Sequence, residues 1–369
     1  MTRHTAGREG KGYTLPDGPH LEFEGHEIFA RRLCCTLVSD MLPLIDRELR
    51  VVKSVRFLAD HPWVAGKRIR PIAFLLAHRA MALERGASPP DSASQVRLAA
   101  AIELLHEASL VHDDLVDRSI LRRGKPAMHV VKGDGLALLI GDYMIFRGLK
   151  LILDAATSHR DIVLAQELAQ AGLAITHGEI NELYQFLNRR ERGQRIRMGS
   201  YLAVIVNKTA HFFAGCVEAG AAHAGAGSAE RAAFRSFGLN LGIAFQMVDD
   251  LMDVLGAEEK AKKTLRHDLV GGTITLPMIH AYERMPRHPL LSRLARGGAL
   301  SRRDQEKLYL LLRSGEVIAR CRATLKRFCR RAEESLAHLP GNIYRLGLAD
   351  LLDYTSQGLW TGVPAKILK

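Results

Sequence analysis

Apolar residues recur at helical spacing over long windows of the chain. LAAAIELLHEASLVHDDLVD (98–117), DIVLAQELAQAGLAITHGEINELY (161–184) and RAAFRSFGLNLGIAFQMVDDLMDVL (231–255) each keep the three-to-four-residue period of a helix with a buried face, and helix-forming Ala and Leu dominate them. No run of alternating β-branched residues is bounded by turns, and no Asn-Gly or Asp-Gly hairpin joins two such runs. The pattern predicts an all-α fold. Breaks rich in Gly, Pro or polar residues fall at 84–94, 122–135, 157–161, 222–230, 256–272 and 285–290, and none has the character of a domain linker. The first 25 residues are polar and aperiodic and read as a mobile tail, which leaves 26–369 as a single all-α domain.

Hydrophobic residues make up 47% and charged residues 25% of the 369, ordinary values for a globular protein with a substantial core. The formal net charge of +12 calls for an anionic partner: nucleic acid, a membrane surface or a phosphorylated small molecule. The basic residues read as spread along the chain without long runs, and at 6% the aromatics offer few platforms for stacking bases, so no nucleic-acid partner is expected. Five cysteines, Cys34, Cys35, Cys216, Cys321 and Cys329, have neither metal-site nor disulfide-framework spacing; free thiols and a cytoplasmic location are expected. Neither a membrane span nor a secretory signal is recognisable.

Chemistry enters with a motif that occurs twice. Asp113-Asp114-Leu115-Val116-Asp117 and Asp249-Asp250-Leu251-Met252-Asp253 both read DDxxD. The first and last aspartates of each are four residues apart, neighbours on one helix face, so each motif offers two carboxylates to one site. Such carboxylates repel unless a cation neutralises them, and Mg²⁺ favours a few carboxylates with waters and phosphate oxygens. One match alone reads most simply as a solvated helix face; two matches, each after buried-looking helix, do not. His106, seven residues before Asp113, projects from the same side, and Gln246, Asp249, Asp250 and Asp253 form an i, i+3, i+4, i+7 stripe on the second helix. Cations accompany them: Lys67, Arg68 and Arg70 in GKRIRP, Arg122 and Arg123 in RRG, Lys208 beside Thr209, and Lys263 after the second motif. Arginine forks suit phosphate oxygens, and so many cations imply a pocket for more than one phosphorylated group.

GKRIRP, HEASLVHDDLVDRSILRRG, GDYM, KTA, FQMVDDLMD and DLVGGTITLP, in this order, resemble the trans-isoprenyl diphosphate synthase (polyprenyl synthetase) family over about residues 45–350. The resemblance implies a helical bundle of isoprenoid synthase type around a central apolar cavity, and a Mg²⁺-dependent prenyltransferase that condenses isopentenyl diphosphate head-to-tail with an allylic diphosphate. It further implies three Mg²⁺ ions on Asp113, Asp117 and Asp249, assisted by Asp253. Isopentenyl diphosphate would lie on Lys67, Arg70, His106 and Arg123, and the allylic substrate on Arg122, Lys208, Thr209, Gln246 and Lys263. The small residues Ala108 and Ser109, one to two turns before Asp113, would set a medium or long product, with Phe146 a candidate floor. A homodimer is the family's common state. Two positions depart from the pattern: Thr273 stands where lysine is usual and Glu182 where glutamine is usual. For that reason a non-catalytic partner subunit stays open beside the synthase, as does a terpene cyclase-like enzyme, which GKRIRP and RRG disfavour.

Overall fold

The periodic windows fold as helices, and their ends fall at most of the expected breaks. The computed structural model describes residues 32–53, 67–86, 92–123, 125–155, 159–192, 197–255, 273–296 and 298–356. In chain order the helices are α1 (Leu33–Thr36), α2 (Leu42–Lys53), α3 (Ile69–Glu84), α4 (Ser92–Val116), α5 (Met128–Lys132), α6 (Asp134–Ala155), α7 (His159–Arg192) and α8 (Met198–Ile205). A π-helical turn, Val206–Ala210, leads into α9 (His211–His223) and α10 (Ser228–Leu255). Then follow α11 (Leu276–Arg284), α12 (Pro289–Ala295), α13 (Arg302–Leu312), α14 (Gly315–Leu336) and α15 (Ile343–Ser356).

Two features depart from the sequence reading. The break at 122–135 contains structure: an antiparallel hairpin of two-residue strands, β1 (Leu121–Arg122) and β2 (Lys125–Pro126), pairs Leu121 with Pro126 and Arg122 with Lys125 and runs into α5. The segment VNKTA, which reads as plain helix, is wound as the π turn. Residues 1–25, expected as a tail, lie outside the described residues.

α9 is buried on every side from Phe212 to Ala222, its one carboxylate, Glu218, paired with Arg231 and Arg235, and it sits in the centre, packed on α3, α7 and α10. Such a helix is accommodated only where neighbours come close. At Gly220 a β-carbon would stand 2.1 Å from the Phe74 carbonyl oxygen of α3, so no larger residue fits that crossing. Two apolar cores result. One gathers α1–α4, α6, α9 and the first half of α10 around Phe74, Phe213 and Phe237; the other gathers the second half of α10 with α8 and α11–α14 around Met247, Leu251 and Tyr309. The five cysteines are free thiols. No helix among the described residues is long and apolar enough to cross a membrane.

Candidate active site

Both aspartate motifs lie at the C-terminal ends of their helices. α4 ends at Val116 and α10 at Leu255. Unpaired carbonyls already make such ends negative, so carboxylates there gain no help from the helix and require cations. The first motif divides by side. Asp114 is buried and accepts Arg122 through both oxygens at 2.5–3.0 Å, which ties the hairpin to α4. Burial, aided by Asp117 and Glu179, pushes the Asp113 carboxyl up to about 7 despite Lys208 and Arg122. Asp117, one residue past the helix, is exposed.

The second motif divides likewise. Asp249 is exposed and Asp253 half-buried, but Asp250 turns inward. It therefore does not share the aspartate stripe, because consecutive helical residues point about 100° apart. Its Oδ2 accepts Tyr201 Oη at 2.8 Å and the Leu276 backbone N–H at 2.9 Å, and its Oδ1 accepts Gln246 Nε2 at 3.1 Å. Thr209 Oγ1 in turn donates to Gln246 Oε1 at 2.9 Å. The chain Thr209–Gln246–Asp250–Tyr201 thus joins the π turn, α10, α8 and α11, and burial raises the Asp250 carboxyl to about 6. Tyr201 carries no motif, and nothing in the sequence marks it.

The cations fall into two kinds. Arg68 donates to Glu103 at 2.6 Å and to Asp46 at 3.0 Å, and Arg123 donates to Glu107 at 2.6 Å. Both guanidiniums are held by carboxylates. Arg68 (φ 56°), Arg118 (φ 55°) and Arg123 (φ 51°) also hold the left-handed backbone that favours glycine, a conformation that costs of order 1 kcal/mol or more. Each is fastened by an ion pair, Arg118 by Asp134 at 2.5 Å.

Lys67 and Arg70 are different: among the described residues neither has a carboxylate partner. Lys67 lies over the Tyr354 ring at 5.3 Å. Arg70 is buried against Phe213, 4.4 Å from its ring centre, and donates to His106 Nε2 at 2.9 Å. A guanidinium only donates, so His106 accepts at Nε2 and carries its proton on Nδ1. Burial, then Arg70 and Arg123, hold that imidazole well below its usual pKa and keep it neutral. Burial also lowers the pKa of Lys67 and Arg70, against the field of Asp249. An anion would relieve both.

Lys208 projects from the π turn to Glu179 at 2.5 Å and Glu182 at 3.0 Å, and these carboxylates with Asp113 hold its pKa well above the usual lysine value. π turns are frequent at functional sites because they re-aim side chains. Glycine permits this one: a β-carbon at Gly178 on α7 would lie 2.5 Å from the Lys208 backbone nitrogen. Glu182, a departure from the expected glutamine, is thus engaged with the very lysine expected to face substrate. Ser109, by helical rotation, lies about 40° from Asp113, whereas Ala108 lies about 140° away and is fully buried in the core. Phe146 is 70% exposed on the outside of α6, which removes it as the floor of a cavity within one chain. Lys263 lies outside the described residues.

The carboxylates fit a hard divalent cation: a carboxyl held near 7 by burial, another exposed at a negative helix end, and oxygen donors throughout. Among the described residues no three His, Cys, Asp or Glu side chains come close enough to hold an ion unaided, so further oxygens must come from water or ligand.

Comparison with known proteins gives the same outline. The polyprenyl synthetase family matches over residues 53–311. A short chain isoprenyl diphosphate synthase of Methanothermobacter thermautotrophicus is 32% identical over 68% of this chain and 69% of its own length. An octaprenyl diphosphate synthase of Escherichia coli is 34% identical over 58% of this chain, which spans 62% of that protein, under two thirds of its length. A crystal structure of a polyprenyl synthase from Caulobacter crescentus, complexed with calcium and isoprenyl diphosphate, superposes with a TM-score of 0.73 at 29% identity and covers 88% of this chain and 96% of that one. In sequence and in its all-α, isoprenoid synthase-type bundle, the chain belongs to the polyprenyl synthetase family of prenyltransferases.

Proposed function

We propose that this enzyme condenses isopentenyl diphosphate head-to-tail with an allylic diphosphate, giving a trans-polyprenyl diphosphate and pyrophosphate. The observation that carries the reading is the pair of desolvated cations, Lys67 and Arg70, without carboxylate partners, in the field of Asp249. Two turns along α4 from His106, the partner of Arg70, stands Asp113, pushed up to about 7. Such a site holds positive and negative groups that do not satisfy one another, which suits a diphosphate bound together with a divalent cation.

In this reading Lys67, Arg70, His106 and Arg123 hold isopentenyl diphosphate. Arg122, Lys208, Thr209, Gln246 and Lys263 face the allylic diphosphate. Asp113, Asp117, Asp249 and Asp253 hold Mg²⁺, three ions by family resemblance, which when bound neutralises charge on the leaving diphosphate. Lys208 adds a fixed positive charge at the same group. The allylic C–O bond breaks and its electron pair leaves with the diphosphate. The terminal double bond of isopentenyl diphosphate attacks the allylic carbon, and loss of a proton, taken by the released diphosphate, restores a double bond. Arg70 packed on Phe213 keeps that end of the site dry, as a carbocation demands. The growing chain runs along α4 past Ser109 and the half-buried Leu105. Ala108 would act from the core behind them.

A second copy of the chain belongs to this reading. Leu136, Leu139, Tyr143, Phe146 and Leu153 form an exposed apolar stripe on α6, and Leu173, Ile180 and Tyr184 another on α7. A homodimer covers both; Phe146→Glu should then give monomers in light scattering, and an unchanged mass would exclude this face. No membrane span is recognisable in the described helices, and we place the enzyme in the cytoplasm.

The reaction is tested by incubating purified protein with Mg²⁺, isopentenyl diphosphate and allylic starters of increasing length, followed by mass spectrometry of the dephosphorylated products. A ladder ending at one dominant length is expected. Absence of elongation with every starter would overturn the assignment in favour of a non-catalytic subunit, with Thr273 and Glu182 as the departures to revert.

A further inference from the structure

The basic residues are dispersed, but the net charge is not. Between Arg284 and Arg331 the chain has fourteen Lys and Arg against three Asp and Glu, so these 48 residues carry +11 of the total +12. Acidic residues bound the stretch, Glu283 on one side and Glu333 with Glu334 on the other. It comprises the end of α11, then α12, α13 and most of α14, four helices packed on one another in the second core. Arg284, Arg287, Arg293, Arg296, Arg302, Arg303 and Lys307 are exposed, as are Arg320, Lys326, Arg327, Arg330 and Arg331 on the outer stripe of α14. Counter-charges on this face include Glu316, at 2.5 Å from Arg284 and 4.0 Å from Arg320, and Glu334, at 3.6 Å from Arg330. None of these basic residues belongs to the proposed catalytic site or to the apolar stripes of α6 and α7.

We infer that this face docks the enzyme on an anionic lipid surface. Two observations favour lipid over nucleic acid. The aromatic residues of the stretch, Tyr309 and Phe328, are buried, so the face offers no stacking platform for bases. Leu310, 67% exposed among Arg303, Lys307 and Arg313, supplies an apolar contact of the kind that enters a headgroup layer. The choice of lipid also rests on the proposed reaction, whose product is an apolar polyprenyl chain with an anionic head. Basic residues close to an anionic bilayer each strengthen binding roughly fivefold, within a screening length of about 8 Å at physiological salt.

Flotation of the full-length protein with vesicles tests this without reference to turnover, so its failure is separable from failure of the catalytic reading. Binding is expected to vesicles of phosphatidylcholine containing one third phosphatidylglycerol, not to phosphatidylcholine alone, and to be lost at high salt. Lys326→Glu/Arg327→Glu/Arg330→Glu on α14 and, separately, Arg302→Glu/Arg303→Glu/Lys307→Glu on α13 should each weaken it by at least about a hundredfold, with helical circular dichroism and prenyl transfer in detergent retained. Equal partition onto neutral and anionic vesicles, or undiminished binding by both variants, would overturn the inference. Displacement from vesicles by RNA that persists at moderate salt would overturn it too, in favour of a nucleic-acid face.

Discussion

Asp113→Asn should stabilise the protein in the absence of metal while abolishing prenyl transfer. The Asp113 carboxyl stands at about 7 instead of its ordinary 3.8, mainly because it is buried. A carboxylate whose pKa is raised by folding holds its proton more tightly in the folded state, so its ionisation opposes folding above the unfolded pKa. At pH 8 both states are ionised, and the displacement amounts to about 4 kcal/mol of lost stability; solvent reaching a half-buried side chain lowers this to about 2–4 kcal/mol. At pH 5 the folded carboxyl is protonated and the unfolded one still mostly ionised, so the loss falls below about 2 kcal/mol. Asparagine removes the ionisation altogether. For a chain of this length the gain is about 3–5 °C in Tm at pH 8, shrinking at pH 5, where the original protein itself gains stability. Thermal unfolding followed by circular dichroism in EDTA measures it. Added Mg²⁺ should then raise the Tm of the original protein and leave the variant unmoved. A lower Tm for the variant at pH 8, or a gain independent of pH, would refute the burial argument.

Five further substitutions probe the site. Tyr201→Phe removes a hydroxyl that donates to buried Asp250 at 2.8 Å and should cost about 1–2 kcal/mol in urea unfolding, with kcat reduced less than for any metal-site change. Gly178→Ala forces a β-carbon against the Lys208 backbone and should lower kcat at least about tenfold with a stability loss of about 1–3 kcal/mol; unchanged kinetics would mean that the π turn does not need this close approach. Glu182→Gln frees one of the two carboxylates on Lys208 and should lower KM for the allylic diphosphate severalfold, so an unchanged KM would show that Lys208 does not reach that substrate. Ser109→Phe should shorten the product with little effect on Tm, whereas Ala108→Phe overpacks the core and should cost about 1–3 kcal/mol; product lengths unaltered by Ser109→Phe would remove this residue from the chain's path.

What could be read from the sequence followed from spacing. Asp113 and Asp117, or Asp249 and Asp253, share a face because four residues make about one turn, and no distant partner is needed to see it. What could not be read depended on contacts between residues far apart in the chain. GKRIRP shows three cations, but only the fold assigns Arg68 to Glu103 and Asp46, 35 and 22 residues away, and leaves Arg70 to His106. Asp250 joins the aspartates in the sequence pattern, yet Tyr201 and the Leu276 N–H draw it inward from 49 and 26 residues away. The two-residue strands at 121–126 are too short for any alternation to show. Nothing in VNKTA itself separates a π turn from an α-helical one, and Gly178, which accommodates it, lies on a different element. The arginines at left-handed turns mislead for the same reason: local rules ask for glycine, and ion pairs made elsewhere override them.

α10 belongs to both cores. At 28 residues it is a rod of about 42 Å, with Phe234, Phe237 and Leu241 in one core and Met247, Leu251 and Leu255 in the other. Neither core can come apart without stripping one half of that rod, so the two should melt cooperatively, in a single heat-absorption peak. Gln246 and Asp249 sit just past the point where the helix passes from one core to the other. Ligand captured there is felt at both ends, and calorimetry should show the peak moving upward intact, without a shoulder, as Mg²⁺ and a diphosphate are added.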